Sequence, residues 1–220
     1  MKLSAMSKCP RCVQRIHRSA VVCPHCGFDM SDVDILFGED NVRLAALTDA
    51  AGVLRAKERK DVRLLMNEFE RRFPQLFFGV YLGAFEEVSH LRQFGFWLLN
   101  RGSFVDVEDS RSNECGILLS VDVAGKAAGL SYGYALHPFL DEDDTFAALS
   151  AGHPFFLQGQ YFKGIEMVIK KLDSILRRRS KKAGKGAVEY EEEPTVEEGA
   201  GELLERIRSR HKQQKKAPKK

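Results

Sequence analysis

Four cysteines near the start of this 220-residue chain are the residues whose type and spacing most clearly indicate chemistry. They form two Cys-x-x-Cys pairs separated by ten residues. Each pair brings two thiolates to one side of a short turn, and two such pairs can close a tetrahedral four-sulfur zinc site. We therefore predict a zinc ribbon over residues 1–28, with a structural zinc ion held by Cys9, Cys12, Cys23 and Cys26.

Two other uses of these cysteines fit the sequence less well. Disulfides would need an oxidising compartment, and a redox Cys-x-x-Cys motif would not be expected twice in one short segment. Ahead of Cys9 the sequence has no apolar segment of the kind found in a signal peptide. No apolar run reaches the roughly 18–20 residues that a membrane span needs. We expect a cytoplasmic protein without a membrane span, whose thiolates stay reduced and available to zinc.

The net charge of +3 conceals an uneven distribution of charge along the chain. Residues 1–28 carry five basic side chains and no acidic ones, and residues 177–220 carry 14 basic and eight acidic ones. Residues 29–176 hold 15 basic and 23 acidic side chains. The basic ends could bind a polyanion such as nucleic acid, or fold back onto the acidic body of the chain.

Hydrophobic patterning divides the rest of the chain into an acidic linker at 29–45, a main domain at 46–177 and a charged tail at 178–220. The tail contains few apolar residues, and we expect most of it to be disordered. In the main domain, stripes at helical spacing alternate with short apolar runs typical of buried strands. This alternation predicts a layered α/β domain. The predicted helices span 57–73, 86–99, 143–150 and 158–177; the predicted strands span 76–82, 116–123 and 127–136, the last two joined by a turn at 124–126.

Four short stretches of the main domain resemble the TPM domain family. They are LTDAAGVL at 47–54, GILLSV at 116–121, GYAL at 133–136 and YFKGI at 161–165, and together they span most of the predicted folded part. The resemblance implies a three-layer α/β sandwich with a small central sheet. It also implies two kinds of activity, because some family members resemble acid phosphatases, often with bound calcium, and others act in the assembly of membrane complexes.

The chain departs from the TPM pattern where the family carries its acidic residues. The family's Asp-Asp-Arg turn corresponds here to Ala124-Gly125-Lys126, and the nearest carboxylate, Asp122, comes two positions early. His137 replaces the glutamate of the family's Gly-Tyr-Gly-Leu-Glu segment. The candidates for the family's entrance and loop aspartates are Asp49, Asp141, Asp143 and Asp144.

These carboxylates leave two interpretations open. They could gather at one sheet edge and hold calcium through oxygen ligands, in a second metal site made of Asp49, Asp122, Asp141, Asp143 and Asp144. Alternatively, the acidic run at 141–144 is only the solvated start of a helix, where carboxylates are favourable without any ligand. We favour the second interpretation because the turn that would supply two carboxylates is lost.

Three further residues are interpreted as structural. His137 and His153 each precede a proline, which is more typical of turn chemistry than of an acid–base or metal-binding role. Cys115 precedes a predicted buried strand and has no evident activating base, so we predict a core thiol. The sequence assigns no catalytic residue.

We therefore predict a zinc ribbon joined to a degenerate TPM-like domain that acts through protein contacts in assembly or regulation, without catalysis. The alternative is a calcium-dependent acid phosphatase of the TPM type. A third reading is a nucleic-acid-binding accessory protein that uses the basic ends. We expect the two modules to be independent, so that loss of zinc unfolds the ribbon and leaves the main domain intact.

Overall fold

A short antiparallel ribbon carries the four cysteines. We describe the fold from a computed structural model, which covers residues 6–17, 19–85, 91–108 and 111–183. In it, β1 (Met6–Lys8) pairs with β2 (Arg15–His17). The first Cys-x-x-Cys pair lies between these strands, in a turn where Val13 has a left-handed φ of 64°. The second pair follows β2, and Gly27 just beyond it has a φ of 70°, which glycine adopts without steric penalty.

Residues 29–45, which the sequence analysis assigns to a linker, contain regular structure. α1 (Met30–Phe37) begins with a capping box, in which the Asp29 carboxylate accepts the amides of Ser31 and Asp32 and the Asp32 carboxylate accepts the Asp29 amide. Val33 in this helix is fully buried. The segment then continues into β3 (Val42–Leu44), so it contributes to the fold and does not only connect two modules.

The main domain follows with helices between its longer strands. Its elements are β4 (Leu47–Asp49), α2 (Ala56–Arg72), β5 (Phe77–Gly83), α3 (Leu91–Arg101), β6 (Gly102–Phe104), β7 (Gly116–Asp122), β8 (Ala127–Tyr132), α4 (Glu142–Leu157) and α5 (Tyr161–Ala183). The predicted fold class is confirmed as a mixed α/β fold with small sheets. Within the described ranges, no helix is both long and apolar enough to cross a membrane.

A four-stranded sheet in the order β4-β5-β7-β8 forms the centre of this domain. β4, β5 and β7 are parallel, and β8 returns antiparallel to β7 through a tight turn. All seven residues of β7 are buried, as expected for a strand that is covered on both faces. β3 and β6 form a separate two-stranded parallel sheet.

Helices cover both faces of the four-stranded sheet. Side chains alternate along β5, so Phe78 and Tyr81 point to opposite faces. The ring of Phe78 packs against Phe69 of α2, with centroids 5.4 Å apart, and the ring of Tyr81 packs against Phe94 of α3 at 4.7 Å. α2 and α3 therefore lie on opposite faces of the sheet, and α5 packs beside α2.

The α3 helix also anchors the segment that precedes the sheet. Trp97 donates its indole N–H to the carbonyl oxygen of Gly38 at 2.8 Å. Arg101 makes a two-pronged ion pair with the Asp34 carboxylate at 3.0 and 2.5 Å. The ring of Phe37 lies 5.5 Å from that of Trp97. These contacts join α1 to the main domain and explain why the acidic segment is folded.

The boundaries of two other elements differ from the sequence prediction. β8 ends at Tyr132 and not at 136. The next position requires glycine, since a Cβ on Gly133 would lie 2.2 Å from the Glu114 carbonyl oxygen. The chain then makes a 3₁₀ turn. α5 runs past the predicted domain end at 177, so the residues of the predicted disordered tail up to 183 are helical. The rest of that tail, 184–220, lies outside the described residues.

The α4 helix is longer than the sequence predicts. It extends to Leu157 and includes His153 and Pro154, so the turn predicted at these two residues is wrong. α4 packs very closely on α5, since a Cβ added to Gly152 would lie 2.6 Å from the carbonyl oxygen of Gly164. This long contact between the helices outweighs the cost of one proline inside α4.

We expect Gly152→Val to lower the free energy of unfolding by about 1–3 kcal/mol, because the added side chain would overfill the contact between α4 and α5. Ser150→Val is the matched control, since Ser150 is exposed on the same helix. Chemical denaturation followed by circular dichroism measures both variants. Equal free energies of unfolding would show that the helices can separate to accept the side chain.

Candidate metal centre and adjoining groove

The sulfur atoms of the two Cys-x-x-Cys pairs converge on one point. All four Sγ atoms lie within 4.8 Å of one another. The Cys9–Cys26 and Cys12–Cys23 sulfur distances are 3.6 and 3.7 Å, close to the roughly 3.8 Å edge of a tetrahedron with Zn–S distances of about 2.3 Å. Both are far longer than the roughly 2.05 Å of a disulfide. The four cysteines can therefore hold a metal ion such as zinc.

The two cysteine turns are built by the same backbone hydrogen bonds. In the first, the amide of Val13 donates to the Cys9 carbonyl at 3.0 Å, and the amide of Cys9 donates to the carbonyl five residues later at 3.0 Å. In the second, the amide of Gly27 donates to the Cys23 carbonyl at 2.9 Å, and the amide of Cys23 donates to the carbonyl five residues later at 2.8 Å. This repetition presents both pairs of thiols in the same way.

The thiols differ in how readily they ionise. Burial raises the pKa of the Cys9 thiol to about 12. Burial acts in the same direction on Cys23, but hydrogen bonds from the amides of His25 and Cys26 outweigh it and lower the pKa of that thiol to about 6. A cation at the centre of the cluster would favour the thiolate at every position.

The ribbon is held against the main domain by aromatic and ionic contacts. Phe28 is buried, and its ring meets that of Phe96 in α3 edge-on, with centroids 5.8 Å apart. On the ribbon side, the Arg11 guanidinium lies 5.1 Å from the centre of the Phe28 ring. Lys8 of β1 forms an ion pair with Glu142 at the start of α4. The ribbon thus touches both α3 and α4.

The predicted second metal site begins with Asp49, whose carboxylate is occupied by local bonds. Its two oxygens accept the amides of Val53 and Leu54 at 3.0 and 2.9 Å. The Arg59 side chain of α2 lies 3.7 Å from the same carboxylate. Asp49 therefore holds the connection between β4 and α2 in place.

Asp122 at the end of β7 is fully buried. Its Oδ1 accepts the amides of Phe85 and Ala124 at 3.3 and 3.1 Å, so it shapes the chain on both sides of the strand ends. Its Oδ2 is buried and has no hydrogen-bond partner among the described residues. Such an atom is energetically unfavourable unless water or a cation satisfies it.

Strand register separates Asp49 from Asp122. Asp49 pairs with Leu82, and Asp122 pairs with the next residue, Gly83. Neighbouring residues of a strand point to opposite faces, and paired residues of parallel strands point to the same face. The two aspartates therefore lie at the same end of the sheet but on opposite faces.

The acidic run at 141–144 caps a helix. The Asp141 carboxylate accepts the Asp144 amide at 2.9 Å, and the Asp144 carboxylate accepts the Asp141 amide at 3.4 Å. Arg179 of α5 donates to both carboxylates at 2.6 and 2.7 Å. Although burial works against it, hydrogen bonds from the Asp144 amide and from Arg179 lower the pKa of Asp141. Asp143 is exposed.

Among the residues that the structure describes, the four cysteines are the one group of at least three His, Cys, Asp or Glu residues whose ligand atoms could reach a single ion. The five aspartates of the predicted calcium site do not form such a group, so a calcium ion shared by these residues is unsupported. His137 lies beside the Tyr132 ring, with centroids 5.2 Å apart. Cys115 is half-buried and lies outside the cluster.

The ribbon and the main domain enclose a groove of about 1480 Å³. The ribbon forms one wall, and β8, the first half of α4 and part of α3 line the rest. Large apolar side chains are exposed on both walls: Val21 of the ribbon is 86% exposed and Phe146 of α4 is 73% exposed. Sequence reasoning missed Phe146, although an aromatic residue directly after a capped acidic helix start was a usable signal.

β8 adds to this groove backbone groups that no other described strand pairs with, because it is the last strand of the four-stranded sheet. The Gly133 amide donates to the carbonyl of Gly116, its partner across the hairpin, at 2.9 Å. In an antiparallel pair, residues alternate between bonding to the partner strand and pointing away from it. The backbone groups of Ala128, Leu130 and Tyr132 therefore point away from β7, and all three residues line the groove.

No protein-family model matches the chain, and no curated protein matches it. Among solved structures it is similar to the BA42 protein of the psychrophilic bacterium Bizionia argentinensis, with 17% identity and a TM-score of 0.48, over 57% of this chain and 83% of that one. It is also similar to an N-terminal domain from P. gingivalis, with 17% identity and a TM-score of 0.45 over 69% and 92% of the two chains. The chain is likewise similar to the N-terminal domain of cg2496 from Corynebacterium glutamicum, with 14% identity and a TM-score of 0.45, over 80% of this chain and 97% of that one. At these identities and TM-scores, we transfer no function from these proteins.

We expect the purified protein to bind one equivalent of zinc, and Cys9→Ser and Cys26→Ser each to abolish stoichiometric binding, because each removes one of four ligands. Metal binding supplies on the order of 10 kcal/mol of folding free energy in such modules. Chelation should therefore unfold the ribbon while the helices of the main domain remain. Metal analysis and circular dichroism measure the two effects. Cys115→Ser is the matched control and should retain zinc; zinc retention by Cys9→Ser, or loss of most helicity on chelation, would contradict this prediction.

Proposed function

We propose that this protein is a non-catalytic adaptor that binds a segment of another protein in the groove between a zinc ribbon and a TPM-like α/β domain. Helices on both faces of a small sheet support the three-layer sandwich that the TPM resemblance implies. The TPM-like stretches begin at β4, at β7, just after β8 and at the start of α5. A role in assembly or regulation in the cytoplasm fits thiols that must stay reduced to bind zinc.

The open edge of β8 beside exposed apolar side chains is the observation that carries this proposal. An extended polypeptide can pair its own N–H and C=O groups with such an edge, and its alternate side chains can then fill pockets on either side. The partner would cover Val21 and Phe146, which otherwise remain in contact with water. Exposed apolar side chains that cluster around a groove are typical of interaction sites.

Zinc has an indirect role in this proposal. The ribbon supplies one wall of the groove, and between residues 6 and 28 its buried hydrophobic side chains are Cys9, Cys23 and Phe28. So small a core cannot hold the wall in place without a metal ion. Binding of the partner should therefore depend on zinc, although the metal does not touch the partner.

The bonding of the acidic residues supports a protein without catalysis. Asp49 is occupied by two amides, and Asp141 and Asp144 are occupied by a helix cap and Arg179. A metal-dependent phosphatase needs carboxylates that converge on an ion and leave room for phosphate. These three carboxylates instead hold the main chain and α5.

Groove variants should lose peptide binding. We expect peptides selected from a random phage library on the zinc-loaded protein to bind Val21→Glu and Phe146→Glu at least tenfold more weakly, because a charge would replace an apolar contact. Ile35→Glu is the matched control, since Ile35 is 84% exposed on α1 and does not line the groove. Fluorescence anisotropy measures the affinities. Failure to select any peptide, or equal affinity for all three variants, would overturn the proposal.

A calcium-dependent acid phosphatase of the TPM type is the second candidate, and one observation favours it. The buried Oδ2 of Asp122 at the end of β7 has no partner in the part of the chain that the structure describes, and a cation could satisfy it. A metal there could neutralise the charge of a bound phosphate and position water. Against this candidate, Asp49 lies on the opposite face of the sheet.

Calcium titration separates the two candidates. We expect calcium neither to raise the melting temperature nor to support hydrolysis of p-nitrophenyl phosphate, because the carboxylates do not converge on one ion. Asp122→Asn is the matched variant, since it preserves the shape of the side chain and removes its charge. Calcium-dependent turnover that Asp122→Asn abolishes would replace the adaptor with the phosphatase.

A further inference from the structure

The exposed face of α5 is strongly basic. Between Tyr161 and Ala183 the helix carries eight Lys or Arg residues and two acidic ones. Six of its apolar residues are buried, namely Ile165, Val168, Ile169, Leu172, Ile175 and Leu176. Every residue of α5 that the structure describes as exposed is Lys, Arg or Ser: Lys163, Lys170, Lys171, Ser174, Arg177, Arg178, Ser180 and Lys181.

These cations form two ordered rows. Lys163, Lys170 and Arg177 follow one another every seven residues, about 10.5 Å apart along the helix. Lys171 and Arg178 begin a second row one residue later, and Lys181 extends the surface. From Lys163 to Lys181 the surface is about 27 Å long.

Two partly buried acids keep the first row in place without neutralising it. Glu166 accepts from Lys163 at 2.7 Å and from Lys170 at 2.6 Å. Asp173 accepts from Arg177 and from Arg72 of α2, both at 2.8 Å. Each acid therefore orients two cations and leaves one positive charge in excess. The result is a row of positioned cations rather than a set of freely moving side chains.

We infer that this face of α5 binds the phosphate backbone of a nucleic-acid duplex without reading its sequence. The positive surface is complementary to a linear polyanion. Its length of about 27 Å corresponds to roughly eight base pairs, because the phosphates of each strand follow one another about every 3.4 Å along the duplex axis. This surface differs from the groove, and the inference does not rest on the proposed adaptor function.

The composition of the face argues against other polyanions. A single strand is normally held by aromatic side chains that stack on bases, and Tyr161 and Phe162 are only half-exposed at one end of the helix. A helix that lies on a membrane normally inserts apolar side chains, and the apolar side of α5 is packed against the domain. Phosphate contact without stacking or insertion is what a duplex backbone offers.

Salt-dependent binding of a labelled 24-base-pair duplex to the 220-residue protein tests the inference. Counterion release gives a slope of log K against log salt of about −0.9 for each phosphate contact. We expect the wild-type slope to be about −4 to −5. Lys171→Glu/Lys181→Glu should weaken binding at least tenfold and reduce the slope by about 2. Neither lysine forms an ion pair with another described residue, so the double variant should fold normally.

Arg43→Glu/Arg92→Glu is the matched control, because it makes the same change in net charge at two exposed positions away from α5. It should change the affinity less than threefold. Lys171→Gln/Lys181→Gln, which only removes charge, should show half or more of the change in slope and guards against misfolding of the first variant. Equal weakening by the control, no duplex binding at low salt, or tighter binding to single strands or anionic vesicles than to the duplex would overturn the inference.

Discussion

Four sulfur atoms within 4.8 Å of one another can be ionised together only around a cation, and the N-terminal part of the structure depends on this constraint. The ribbon strands are three residues long, and the buried hydrophobic side chains near them are two of the cysteines and Phe28. Such a segment cannot bury enough apolar surface to fold alone. A metal ion held by the four cysteines would therefore replace the missing hydrophobic core, and it would also fix the side chains that meet α3 and α4.

The acidic residues show how the same side chains can serve structure or chemistry. Carboxylates at the ends of parallel strands often collect at one site, and this chain has them at β4 and β7. Here Asp49 satisfies the amides that follow β4, and Asp122 satisfies amides near the ends of β5 and β7. One oxygen, Oδ2 of Asp122, finds no partner within the described ranges, and a phosphatase function would have to begin there.

The two surfaces proposed for binding differ in the interactions that they offer to a partner. The groove offers backbone hydrogen bonds and apolar contacts, which suit an extended polypeptide. The exposed side of α5 offers fixed positive charge with almost no apolar area, which suits a phosphate backbone. Glu166 and Asp173 are important to the second surface because they orient its cations. A protein with both surfaces could bring a polypeptide and a nucleic-acid duplex together.

Features that depend on local spacing could be predicted from the amino-acid sequence. The two Cys-x-x-Cys pairs predicted the sulfur cluster, and the apolar run after Cys115 predicted the buried strand β7, because neighbouring residues decide both. Other features depend on contacts between distant parts of the chain. Pairing between distant strands places Asp49 and Asp122 on opposite faces of the sheet. Contacts with α3 stabilise the helix that contains Asp34, in the segment predicted as a linker. Packing against α5 lets α4 continue past Pro154. A local pattern specifies an element, but its partners, its register and its exact ends depend on residues far away in the chain.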